Sequence, residues 1–286
     1  LLETIRIAIP LLITSLAISL AFKMRFWNIG AEGQILAGAM ASSYFALFQY
    51  QNIPRVPLLL IMFFVAIVSG GLYGLLPAIF KAKWNTNETL FTLMLNYIAL
   101  AFLQYLQNGP WKDPMQKGFP KIAMFNSVAK LPKVLNIHIG WIIALVLVVV
   151  VAVYLSKTKH GYEIAVVGES RNTAKYAGMH VGKIIMRTMF LSGALAGLVG
   201  CLQCAGADYT ITDTTAGGVG FTAITVAWLS KLNPYVMLIV AFAIAVLERG
   251  ANKIQTAFKI PASAAEVLVG IILFFMLGCE FFINYK

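Results

Sequence analysis

Long apolar runs, broken by short polar or glycine-marked stretches, follow one another along almost the whole chain. The hydrocarbon core of a bilayer takes about 20 apolar helical residues, within a range near 17–25. Eight runs reach or approach that length: 7–22, 29–50, 56–80, 89–106, 139–155, 184–205, 235–247 and 264–283. A further run, 219–229, is too short to span and is predicted to re-enter. No period-two alternation bounded by turns occurs, which argues against a membrane β-barrel. The pattern predicts an all-α polytopic membrane helix bundle, about eight spans plus one re-entrant segment, forming a single transmembrane domain over 1–286. The first run is under way at residue 1 with no cleavable leader, and a further span is expected upstream.

Composition sharpens the class. The chain is 60% apolar and 12% charged, and its mean hydropathy is +0.82. Soluble domains average roughly 45–50% apolar and about 25% charged. A soluble enzyme, a disordered chain and a nucleic-acid-binding module are therefore excluded. The net charge of +11 fits basic loops against anionic lipid. The densest basic loop, 156–187, carries Lys157, Lys159, Arg171, Lys175, Lys183 and Arg187 and is placed in the cytoplasm. Counting outward puts Lys23, Arg25, Lys81 and Lys83 inside, and the loop 107–138 outside despite its five lysines. Arg249, Lys253 and Lys259 fall inside only if 219–229 enters and leaves on one face, hence the re-entrant reading; full spanning is the rival and would put those three cations outside.

Candidate chemistry gathers at two glycine-rich entries. In Asn28-Ile-Gly-Ala-Glu-Gly-Gln34 one carboxylate, Glu32, sits among polar residues at the mouth of a span. Gly30 and Gly33 can break the helix there, and broken backbone at depth must face protein or water. The plainer reading is a helix start, with Asn28 as cap and Glu32 favourable in the first turn. The second entry, 215–228, contains Gly218, Gly220 and Phe221 and follows Asp208 and Asp213. Paired glycine interruptions in two halves of a membrane protein point toward a central path. Asn96, inside the fourth run, is either glue between helices or a solute contact. Asn28, Glu32, Gln34, Asn96 and Phe221 are thus the candidate path residues. Gly70 and Gly74, like Gly193 and Gly197, are four apart and read as helix packing.

The loop 156–187 is too polar to span and too patterned for a linker. Residues 169–177 predict a short helix with Ser170 or Asn172 as cap and Gly178 as stop, Ala174, Tyr176 and Ala177 giving it a small apolar face. Glu163 is expected to be solvated. Cys201 and Cys204 read as packing, and the Asn87-Glu-Thr89 sequon is set aside beside a cytoplasmic loop. No phosphate-binding loop and no metal-ligand spacing occurs, so no cofactor is expected.

Four segments appear together and in order: 28–34, 92–97, the Gly161–Glu169–Ala174–Gly178 stretch, and 220–227. In these the chain resembles the permease subunits of bacterial ABC importers in the branched-chain amino acid/simple-sugar superfamily, and most of all the larger permease of nucleoside importers. The resemblance implies a non-catalytic path for nucleosides in the bacterial inner membrane. It implies a second, paralogous permease, a cytoplasmic ABC ATPase and an external substrate-binding lipoprotein as partners. It implies further that Gly161, Glu169, Ser170, Asn172, Ala174, Tyr176 and Gly178 belong to a helix coupling the permease to the ATPase. Simple sugars or riboflavin are the alternative cargo. An ion-coupled carrier using Glu32, Glu248, Glu266 and Glu280 is the alternative class.

Overall fold

The computed structural model describes residues 2–114 and 118–259, with isolated positions beyond 260. Most of the 264–283 run lies outside these residues, as do Glu266, Cys279 and Glu280. Ten α-helices are described: α1 (Leu2–Lys23), α2 (Ala31–Phe48), α3 (Arg55–Trp84), α4 (Glu88–Asn108), α5 (Gly140–Lys157), α6 (Lys159–Glu169), α7 (Arg171–Tyr176), α8 (Val181–Leu202), α9 (Val219–Leu229) and α10 (Pro234–Phe258). Among the described residues six helices are long and apolar enough to cross a bilayer: α1, α3, α4, α5, α8 with its π-helical extension, and α10. The chain is an all-α polytopic bundle. α2 has 18 residues but carries Glu32, Gln34, Ser42 and Ser43, and it lies inside the bundle rather than against lipid.

Burial follows from side-chain pattern. α1 is apolar on every side, so any of its faces can be covered. Its spanning window is 78% buried and that of α8 is 72%, against 33% for each of α3, α5 and α10. α1 and α8 therefore form the centre. Three helices meet at Gly197 of α8. A Cβ there would stand 2.8 Å from the Gly70 Cα of α3 and against the Ala66 carbonyl, while Gly38 of α2 faces Gly197 from the other side. In lipid, where apolar burial gives little drive between helices, such backbone-to-backbone contact holds a bundle.

α3 and α4 form a tight helical hairpin. Asn85 ends α3 with φ 51°, and the Asn87 side chain accepts from the Thr89 and Leu90 amides to cap α4. Lys81 Nζ meets Glu88 Oε2 at 2.7 Å, both side chains about one-tenth exposed. Asn87, the residue of the sequon, is thus a helix cap.

The two ends of the bundle differ. One carries a small β-hairpin, β1 (Lys133–Val134) against β2 (Ile137–His138), turned by Leu135 and Asn136 at φ 55° and 63°. Its surrounding loop is sewn to the helices. The Arg6 guanidinium donates to the Asn136 carbonyl at 3.2 Å, and that of Arg55 to the Lys130 carbonyl at 3.2 Å. The His138 ring packs against Gly140 and Gly206. Burial, helped by the Arg6 charge, pushes its pKa down to about 4. The unfolded chain binds this proton from about pH 6.5, the folded chain only near 4. Stability is therefore full above pH 6.5 and falls as pH drops toward 4, by roughly 3 kcal/mol in all. Melting in detergent should show this slope, and His138→Asn should flatten it. Equal slopes in both proteins would remove His138 as its source.

At the hairpin end the Leu131 amide donates to the Ala205 carbonyl at 2.9 Å and the Phe125 amide to that of Tyr209 at 2.8 Å. α9, however, finishes at the opposite end, where Trp228 stacks on Trp27 at 5.7 Å and lies 5.8 Å from Phe22. Residues 209–229 therefore pass from one end to the other, half as non-helical chain and half as helix. This corrects the re-entrant expectation for 219–229. Eleven helical residues suffice, since about 16 Å of helix is needed only for the inner half of the crossing. α10 then runs back toward the hairpin, its Leu238, Ala241 and Phe242 sharing a seam with Ile5, Ile9 and Trp141. Arg249, Lys253 and Lys259 accordingly lie toward the hairpin end, not with α6 and α7.

Candidate functional site

The connection between α1 and α2 folds back into the bundle. Arg25 takes φ 54°, and the Phe26 amide donates to the Ala21 carbonyl, turning Asn28 inward. Asn28 is fully buried and pairs with Gln34 reciprocally. Each side-chain amide donates to the other's oxygen at 3.2 Å. Asn28 also donates to Ser192 Oγ at 3.3 Å, and Ser192 donates to the Ala17 carbonyl at 2.7 Å. Asn28 Oδ1 accepts from the Gly30 amide at 3.0 Å, an Asx turn ahead of α2 rather than a cap on it.

Asn96 satisfies the start of α2. Its Oδ1 accepts from the Gly33 amide at 2.8 Å, and its Nδ2 donates to the Ile29 carbonyl at 2.8 Å. An uninterrupted helix would join that carbonyl and that amide directly, four residues apart. Here the Asn96 amide stands between them. Thr92, one turn earlier on α4, accepts from the Ile29 amide at 3.2 Å. Glycine favours this close approach. A Cβ on Gly33 would come 3.0 Å from Asn96 Oδ1 and 3.1 Å from its Cα, and one on Gly30 would come 3.0 Å from the Thr92 Cβ.

The second glycine-rich entry meets the first at Glu32. Gly217 and Gly218 adopt φ 54° and 79° and turn the chain into α9. The Gly220 amide then donates to Glu32 Oε1 at 2.9 Å. A Cβ on Gly220 would stand 2.7 Å from the Glu32 Cγ. The carboxylate thus sits on the positive end of α9. Glu32 is half-buried and Phe221, next along, is 46% exposed.

The five candidate path residues therefore separate. Asn28, Gln34 and Asn96 are sealed, and their hydrogen-bonding groups are spent on protein. Glu32 lies at the rim, and Phe221 is on the surface. Residues missed in the sequence, Ser192 and Thr92, complete the knot. They are hydroxyls on otherwise apolar helices, and nothing in their own neighbourhood marks their partners. α4 offers a second surface. Its exposed row Leu90, Met94, Tyr97, Ala101, Gln104, Asn108 follows helical spacing. Its mean hydropathy is 1.5, against 2.4 for α3 and 2.3 for α5, although it is no more buried than they are.

At the other end α6 and α7 hang below the bundle. A Cβ on Gly161 would strike the Tyr154 and Leu155 carbonyls, and one on Gly168 the Lys23 carbonyl. Ser170 caps α7, its Oγ accepting from the Thr173 amide at 3.2 Å, while Asn172 is exposed and caps nothing. Ala174 is buried, Tyr176 is 93% exposed, and Gly178 follows at φ 75°. Glu169, at the end of α6, is exposed. Glu163 is not solvated as expected. It accepts from Arg187 at 2.9 Å and lies 3.4 Å from His160, and Arg187 holds its carboxyl below the usual range. Cys201 and Cys204 are free thiols buried in α8 and its π-helical end.

The chain matches the family described as branched-chain amino acid transport system/permease component over residues 1–277. It is similar to the glucose ABC transporter permease of Haloferax volcanii, 34% identical over 98% of this chain and 76% of that one. It is similar also to the guanosine ABC transporter permease NupP of Bacillus subtilis, 32% identical over 96% of this chain and 80% of that one. Its fold resembles that of an ABC transporter described as of metal-chelate type and solved inward-facing, with TM-score 0.54 and 18% identity over 98% of this chain and 85% of the other. The chain belongs to the branched-chain amino acid transport system/permease family of ABC transporter permeases.

Proposed function

We propose that this chain is the permease subunit of an ATP-driven importer that passes nucleosides across a bacterial inner membrane. The observation that carries the reading is α7. It is a capped helical turn, anchored inward by Ala174 and presenting Asn172, Lys175 and Tyr176 away from the bundle. Such a knob has no use in packing its own chain and fits a cleft on a soluble partner. That partner is a cytoplasmic ABC ATPase, which supplies the energy. A second, paralogous permease completes the pathway, and an external binding lipoprotein delivers the solute. The permease itself forms and breaks no covalent bond. It stabilises two arrangements of the bundle differently, and the ATPase shifts their balance.

The path runs over the exposed row of α4 and the rim at Glu32 and Phe221. Lipid offers no partner to a tyrosine hydroxyl or a glutamine amide, so Tyr97 and Gln104 belong against water, solute or the second permease. Nucleosides are the cargo favoured by the 28–34 motif and by likeness to the guanosine permease. Likeness to the glucose permease keeps sugars as the second reading.

Uptake of labelled guanosine, glucose and riboflavin by cells carrying the whole transporter tests this. Guanosine uptake should be lost when 169–178 is deleted and should persist under an uncoupler at constant ATP. Glucose or riboflavin uptake alone would replace the cargo. Uptake indifferent to the deletion but stopped by the uncoupler would overturn the ATP-driven reading.

A further inference from the structure

Between α6, the loop after α7 and the first turn of α8 lies a cleft of about 420 Å³. Its walls carry Lys159, Lys183, Arg187 and His180, with Glu163 as its one carboxylate. Arg187 already engages Glu163 through one terminal nitrogen, at 2.9 Å. The Arg187 Nε is buried with no hydrogen-bond partner. Lys159 and Lys183 are exposed, and among the described residues neither has an ion pair. Two unpaired lysines thus stand beside one carboxylate that Arg187 already neutralises. α8 opens at this cleft without a side-chain cap, its Val181 amide donating to the Met179 carbonyl and its Lys183 amide to the His180 carbonyl.

The position of the cleft selects among anions. α8 enters its apolar span at Val181, and Ile184 lines the cleft floor. Tyr162, on the rim, is 64% exposed, an aromatic at the height where polar and apolar solvent meet. A ligand here must place its charge among lysines and its apolar part at the rim beside Tyr162.

We infer that this cleft binds the phosphate headgroup of an anionic phospholipid. Lys159 and Lys183 hold the phosphate oxygens, and the acyl chains leave the cleft past the exposed Tyr162. The bound lipid fills the gap between α8 and the loop that carries α7, so it braces α7 against the bundle. This requires only that the chain sits in a bilayer and is independent of the cargo.

Native mass spectrometry of the intact transporter, titrated with phosphatidylglycerol, cardiolipin and phosphatidylcholine, tests the site. The two anionic lipids should bind at least tenfold tighter than phosphatidylcholine. A lysine near the headgroup plane is worth about fivefold in affinity, so Lys159→Gln with Lys183→Gln should weaken anionic-lipid binding about thirtyfold. Both positions are exposed, and an unchanged gel-filtration profile verifies the fold of the double variant. Undiminished anionic-lipid binding in the double variant would overturn the site. Displacement of the lipid by millimolar inorganic phosphate would assign the cleft to soluble phosphates instead. A variant that keeps its lipid but loses the ATPase subunit on purification would give the cleft to a protein partner.

Discussion

Asn96→Leu should lower the stability of the purified protein by about 2–4 kcal/mol and abolish most uptake. The size follows from what the substitution leaves behind. Asn96 satisfies two buried backbone groups, the Ile29 carbonyl and the Gly33 amide. Each orphaned group costs about 1–3 kcal/mol. Hydrogen bonds between membrane helices average only about 0.6 kcal/mol, because the freed partners find replacements. Here the partners are fixed backbone atoms at the start of α2, and the leucine side chain occupies the space between them. Asn96→Ala should cost less, since the Ile29 carbonyl and Gly33 amide can then approach and close the helix directly. That closure would move Glu32, the next residue, off the start of α9. Asn96→Ala should therefore lose uptake by more than its modest loss of stability explains. Melting in detergent together with uptake separates the two effects. Asn96→Leu melting within 1 °C of the parent would show that the knot contributes little.

The spans were readable because a bilayer imposes a length, and apolar runs of that length have few other uses. α7 was readable for the same kind of local reason, a Ser170 cap ahead and Gly178 behind. The polar knot was readable only in part. Asn28, Gln34 and Asn96 stand out as polar residues in apolar surroundings, but the sequence does not say whether their partners are solute or protein. The Asn96 bonds join residues more than 60 positions apart, and no local pattern encodes that pairing. The crossing by 209–229 was hidden because its first half has no apolar run. Its threonines bond one another, Thr215 Oγ1 accepting from the Thr212 amide at 2.9 Å, so the stretch is compatible with depth without being apolar. The charge rule then misplaced Arg249, Lys253 and Lys259. Glu163 was misread for a similar reason: its partner Arg187 lies 24 positions away, beyond α7.

Glu32 gives the second large effect, and the choice of substitution decides what it means. Glu32→Ala removes the acceptor for the Gly220 amide and the negative charge at the start of α9. A carboxylate so placed contributes about 0.3–1 kcal/mol at a surface and up to about 2 when partly buried. The positional consequence is larger than the energetic one. Gly217 and Gly218 take left-handed turns and α9 has no side-chain cap of its own, so without Glu32 no side chain holds its first turn or the direction of Phe221. Glu32→Ala should reduce uptake at least tenfold. Glu32→Gln keeps a carbonyl oxygen at the same distance from the Gly220 amide and should retain more than half of the uptake. A carrier that moved protons through Glu32 would behave in the opposite way, because glutamine cannot take up or release one. Retained uptake in Glu32→Gln with loss in Glu32→Ala therefore identifies the carboxylate as the anchor of α9. Equal loss in both would make the ionisable group itself necessary and return Glu32 to the role of ion carrier.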